Sequence, residues 1–198
     1  GSMGTIRDSV FELNATSNTW IQKTSMPTAR VGLRLLQYEG KIWAIGGYHA
    51  TQGAKSTVEI YDPSNDSWTT GNSLNIERNY PVVWKEQGKL FVGGGHAKDN
   101  SFLNSVEYYD THDGQWKNSG NLPESKRAAS AKVIGEKIYL VGGSTSNGFY
   151  SNKLHSADLL PHRDLYYRSV TSTPPQNTPP DQNATVTGTV QYNGMIPG

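Results

Sequence analysis

The chain has 198 residues, a formal net charge of +1 and no cysteine. That length suits one ordinary domain or one and a half, and evenly interspersed charge excludes both a basic stripe for nucleic acid and an acidic tail for a basic partner. Without cysteine there is no disulfide, no thiolate metal site and no thiol nucleophile, and no apolar run approaches the roughly 18 residues of a membrane span.

Residues 1–4, with Gly1-Ser2-Met3, read as an expression scar, so the native N-terminus is expected to be missing. Residues 5–22 follow, and Ile6 to Phe11 aligns with Phe102 to Glu107 further on. The chain is therefore predicted to enter in the middle of a repeating unit, with only its third and fourth strands. Three units follow over 23–70, 71–118 and 119–170. Trp20, Trp68 and Trp116 are each 48 residues apart, and so are the pairs Gly46-Gly47, Gly94-Gly95 and Gly142-Gly143. Lys41, Lys89 and Lys137 keep this step, as do Asp62, Asp110 and Asp158. A period of that size means stacked supersecondary units, each too small to bury its own apolar face.

One unit shows the pattern. Tyr80 to Trp84 is a short apolar run that ends at the turn pair Gln87-Gly88. Lys89 to Val92 follows, then the glycines, a polar loop, the alternating Ser105 to Tyr109, a turn cluster at Asp110 to Gly114, and a last strand opened by Trp116. Four short strands separated by turn signals predict an antiparallel meander, and no helical period interrupts them. The fold class is all-β. Beyond 170, residues 171–183 form a Pro-rich linker with Pro174-Pro175 and Pro179-Pro180. Residues 184–198, with the alternation of Thr185 to Tyr192, read as the start of a further β module or a disordered tail. That segment resembles the opening strand of sandwich modules in extracellular bacterial proteins, which leans towards an extracellular location over a cytoplasmic one.

Each unit resembles a kelch repeat. The motif runs Gly46-Gly47, Tyr61-Asp62, Trp68 and Arg78, then Gly94-Gly95, Tyr109-Asp110, Trp116, Pro123 and Arg127. The resemblance covers about Ile6 to Leu160 and implies four-stranded blades of a kelch-type β-propeller. About three and a half repeats fall short of the roughly four to eight blades of closed rings. The expected architecture is thus a partial propeller, as a fragment of a longer array, half of a dimeric ring, or an open set edged by the tail. The third unit departs from the pattern, with Ala157-Asp158 for the aromatic-Asp pair and Asp164 at the Trp position. The second has Asn75 where Pro is usual, and Trp84 in an inner strand.

Candidate site residues lie on loops. Tyr48, His96 and Ser144 occupy equivalent positions after the glycine pairs, with His49 beside the first. Arg30 and Arg78 are equivalent, with Arg127 one step off, and Asn79 and Tyr80 follow Arg78. By resemblance to kelch adaptors, Arg30, Tyr48, His49, Arg78, Asn79, Tyr80, His96, Arg127 and Ser144 form a rim where a peptide or protein partner docks. The competing reading has the arginines bracing neighbouring blades by bonding loop carbonyls. His112 is expected in a solvated turn and His155 packed in a strand. None of the five histidines pairs at metal-ligand spacing, so no metal or cofactor is expected. Copper-radical oxidases on this fold need a crosslinked cysteine, which the chain lacks. The function implied is a non-catalytic protein-interaction scaffold, with a possible homodimer that completes a propeller. The alternative is a secreted carbohydrate-binding or carbohydrate-converting module. Asn14 and Asn65 open glycosylation sequons in form, as does Asn183, and the first two are read as turn residues.

Overall fold

The computed structural model describes residues 6–146, 150–151, 153–158 and 170–171. All regular elements among them are strands. In chain order these are β1 (Val10–Asn14), β2 (Thr19–Lys23), β3 (Arg34–Tyr38), β4 (Lys41–Ile45), β5 (Tyr48–His49), β6 (Gly53–Ala54), β7 (Val58–Asp62), β8 (Ser67–Thr70) and β9 (Val82–Glu86). There follow β10 (Lys89–Gly93), β11 (Ser105–Asp110), β12 (Gln115–Asn121), β13 (Lys126–Arg127), β14 (Ser130–Ile134), β15 (Lys137–Val141), β16 (Ser144–Thr145), β17 (Leu154–Asp158) and β18 (Val170–Thr171). Three antiparallel four-stranded sheets result: β3-β4-β7-β8, β9-β10-β11-β12 and β14-β15-β17-β18. They are propeller blades, here blades 1, 2 and 3. Among the described residues β1 and β2 make a two-stranded sheet that corresponds by the 48-residue step to the third and fourth strands of a blade, here the half-blade. Asp164 and residues 172–198 lie outside the described residues, as do the sequon at Asn183 and most of the linker.

The turn after each third strand explains the periodic Asp. Asp62 Oδ1 accepts from the Ser64 amide and hydroxyl, and Asp110 Oδ1 accepts from the His112 amide. Asn14 does the same for Thr16 and Ser17. These are local turns in which a short side chain substitutes for backbone. Asn65 likewise accepts from the Ser67 hydroxyl, so both sequon asparagines serve turn geometry.

Burial is shared between blades. One core joins blades 1 and 2 through Tyr38, Trp43, Ile45, Val58, Leu90, Val92 and Trp116. A second joins blades 2 and 3 through Val82, Trp84, Phe91, Val106, Ile138, Leu140 and Ala157. Trp84 fits its inner strand by stacking on Phe91, with centroids 5.3 Å apart. The periodic tryptophans tie each blade to the segment before it. Trp68 Nε1 donates to the Thr24 carbonyl and Trp116 Nε1 to the Asn72 carbonyl, both at 2.9 Å. Asn75 has a tie of its own, donating to Glu107 and to the Trp116 carbonyl.

Candidate functional site

The glycine pairs mark where loops crowd together near the inner ends of the strands. Gly46 and Gly94 hold positive φ, and a Cβ there would sit 2.5 Å from the Arg78 carbonyl and 2.4 Å from the Lys126 carbonyl. Only glycine admits that approach. Their own carbonyls receive buried cations: Arg30 Nε donates to Gly46 O at 2.8 Å and Arg78 Nη1 to Gly94 O at 2.8 Å.

These arginines are braces. Arg78 is fully buried and Arg30 is 2% exposed. Each pairs with a buried carboxylate, Arg30 with Glu59 at 2.5 Å and Arg78 with Glu107 at 2.9 Å. Burial lowers the Arg78 pKa, and the Glu107 carboxylate opposes that shift. Placing Arg30 and Arg78 among the ligand contacts is therefore corrected, because their guanidinium donors are spent on Glu59, Glu107 and loop carbonyls. The one-step offset of Arg127 leaves the brace position to its neighbour. Lys126 stands 48 residues after Arg78, and its buried ammonium takes the brace position, 3.4 Å from the Gly142 carbonyl. In blade 3 the pair becomes a trio: Glu124 lies 2.8 Å from Lys126 and 3.0 Å from His155. Burial pushes the Glu124 carboxyl up, but hydrogen bonds from Lys126 and His155 outweigh it and hold its pKa at about 2.

Arg127 instead occupies the place of Val31 and Asn79, at the head of a small ladder repeated in every blade. Val31 pairs with Tyr48, which pairs with Ala54; Asn79 pairs with His96, which pairs with Phe102; Arg127 pairs with Ser144, which pairs with Tyr150. The predicted Tyr48, His96 and Ser144 are thus brought to equivalent middle positions. His49 stays beside Tyr48 and accepts weakly at Nδ1 from the Thr51 amide at 3.4 Å. An axial chain of bonds joins the ladders, since the Tyr80 amide donates to Gly32 O and the Ala128 amide to Tyr80 O.

Tyr80 is the unusual member. Its φ is +51°, where the equivalent positions hold Gly32 and Ala128. Left-handed backbone costs a bulky residue about 1–2 kcal/mol, and such strain collects at functional sites. The result is a ring flanked by two cations, with Arg34 Cζ 5.7 Å and Arg127 Cζ 6.0 Å from its centroid. Arg127 also lies 5.3 Å from the Phe102 centroid, and His96 meets Phe102 edge-on at 4.9 Å. Among the described residues neither Arg34 nor Arg127 is ion-paired. Desolvation, and then the Arg127 charge, lower the His96 pKa. Asn79 is buried beside this cluster with its Oδ1 unpaired. The arrangement can stack on a planar group and attract an anion to either guanidinium.

Sequence reading missed Arg34, Phe102 and Tyr150. Ala54, Phe102 and Tyr150 do sit 48 apart, so the period contained the signal for two of them. Tyr150 is 93% exposed.

The kelch motif model matches residues 29–75 and 87–123. Kelch repeat and BTB domain-containing protein 1 of cowpox virus (strain Brighton Red) is 34% identical over 68 residues, 33% of this chain and 12% of that protein. Human Kelch-like protein 15 (Homo sapiens) is 32% identical over 83 residues, 38% of this chain and 14% of that protein. The chain thus matches only a small part of these relatives. A solved structure of YjhT superposes with a TM-score of 0.70 at 17% identity, over 86% of this chain and 64% of that one. At that identity the likeness speaks for the fold alone.

Proposed function

We propose that this chain, whose residues 29–75 and 87–123 are kelch motifs, is a non-catalytic interaction scaffold that binds an acidic segment of a partner protein on its rim. The observation that carries the reading is the pair of arginines, Arg34 and Arg127, that have no carboxylate partner among the described residues and lie against the strained Tyr80. Arg30, Arg78 and Lys126 are paired with carboxylates at a cost in desolvation, whereas Arg34 and Arg127 face one aromatic ring without a carboxylate among the described residues. A carboxylate side chain fits the guanidinium forks. Tyr48, His49, His96, Phe102, Arg127 and Ser144 supply the surrounding contacts. The family resemblance supports a protein partner, because exposed loops on a rigid repeat scaffold are where such proteins vary.

Calorimetric titration of the full chain with a Glu-rich nine-residue peptide tests this, with a Lys-rich peptide as control. Selective binding of the Glu-rich peptide that weakens with salt is expected, and Arg127→Ala should lower the affinity about tenfold. Equal affinity for both peptides, or an unaffected variant, would sink the reading.

A further inference from the structure

Tyr48, His96 and Ser144 hold the same middle place in their ladders, and of the three only the imidazole changes charge near neutral pH. Its position is set by the backbone. The His96 amide donates to Asn79 O and the Asn79 amide to His96 O, both at 2.8 Å. The half-buried ring meets Phe102 edge-on, with centroids 4.9 Å apart, and Arg127 Cζ lies 5.3 Å from the same Phe102 centroid. Imidazole and guanidinium thus share one aromatic neighbour. Burial, then the Arg127 charge from β13, disfavour the protonated ring; a backbone hydrogen bond at Asn100 and the Asp99 charge favour it, and the balance lowers its pKa. Asp99 is exposed and spends Oδ1 on the Ser101 amide and hydroxyl. Lys98 in the same loop runs alongside Gly53 of blade 1. In blade 3, Glu124 is already held by Lys126 and His155, so it does not neutralise Arg127.

We propose that the rim is proton-linked: docking of an acidic segment draws a proton from solvent onto His96, so the partner is held more tightly as pH falls. This linkage rests on the acidic-segment reading of the rim. In the free chain an imidazolium at this place stands close to the Arg127 guanidinium with little to offset it. A carboxylate brought to Arg127 faces both groups and favours the charged ring, because an opposite charge at short range stabilises the ionised form. The two equilibria are coupled, so whatever the carboxylate adds to proton affinity the proton adds to peptide affinity. The gain is absent at pH 7.5. It grows as pH falls through the range where the bound ring titrates, and it levels off once the free ring is protonated too. The response belongs to blade 2, since neither Tyr48 nor Ser144 takes up a proton in that range.

The test uses the full chain and the Glu-rich nine-residue peptide with both ends blocked, at constant salt. Its side chains titrate near about pH 4.3, so they stay ionised at pH 5.5. Calorimetric titration should give about fivefold tighter binding at pH 5.5 than at pH 7.5, within a coupling limit of about tenfold. Whatever its affinity at pH 7.5, His96→Asn should differ by less than about twofold between the two pH values. The NMR signal of the His96 Cε1 proton, identified by its loss in that variant, reads the other side of the coupling. With peptide bound the ring should hold its proton about tenfold more tightly. Peptide binding with an equal pH response in both proteins, or an unmoved His96 titration, overturns the linkage and leaves the rim reading standing. Absence of binding at both pH values overturns both.

Discussion

Identical-looking arginines divide into two kinds by what surrounds them. Arg78 ends in a closed set of acceptors: Glu107, Gly94 O, Ser105 O and Ser105 Oγ. Arg127 ends over two aromatic rings without a carboxylate among the described residues. Removing one partner of a buried pair leaves an uncompensated charge, which costs about 3–5 kcal/mol. Arg78→Ala should therefore lower the unfolding free energy from denaturant titration by an amount in that range, while Arg127→Ala lowers it by less than about 1 kcal/mol. Equal midpoint shifts in the two variants would contradict this division. The sequence placed arginines on loops but left their roles open, because burial of a charge depends on its partner. That partner was visible in one respect: Glu59 and Glu107 are also 48 apart, each 29 residues after its arginine. The approach of Arg34 to Tyr80 had no such signal, since it is a single event outside the repeat.

Blade 3 keeps the brace but changes its chemistry. Where blades 1 and 2 use Arg–Glu, it uses Lys126, Glu124 and His155. The sign of the pH effect follows from Glu124. Its carboxyl falls from 4.5 to about 2 on folding, so its contribution is present above about pH 4.5 and is lost as pH falls towards 2. Allowing for its partial contact with water, the loss is about 2 kcal/mol. Urea midpoints at pH 5 and pH 2.5 should show that drop in the native chain, and Glu124→Gln should show less of it from a lower starting stability. An identical acid limb in both proteins would assign the drop to other carboxylates. Strand positions were legible at this scale because turn residues punctuate them: β10, β11 and β15 fall where alternation and glycine place them. The degenerate end of the third unit was legible as a departure. Its consequence, Ala157 packed into the core opposite blade 2, depended on a neighbouring sheet and could not be read locally.

Across the whole chain, the period was legible because it repeats identity and spacing together, and it fixed the blades and their order. The place of β1 as a third strand was legible as well, from the alignment of Ile6 to Phe11 with Phe102 to Glu107. The rim chemistry was legible only in outline, since which loop side chain meets which is decided by how blades fan around the axis. Stability in such an array is a sum of modest units and the junctions between them. Blade 2 alone has a described blade core on each face; blades 1 and 3 each have one, and the half-blade leaves Phe11, Leu13 and Trp20 exposed at 53%, 45% and 67%. Native-state hydrogen exchange resolved by strand tests this directly. The slowest amides should lie in β10 and β11, with intermediate rates in β4 and β15 and the fastest in β1 and β2. Uniform protection across the blades, or slower exchange in β1 than in β10, would contradict the dependence of each unit on its neighbours.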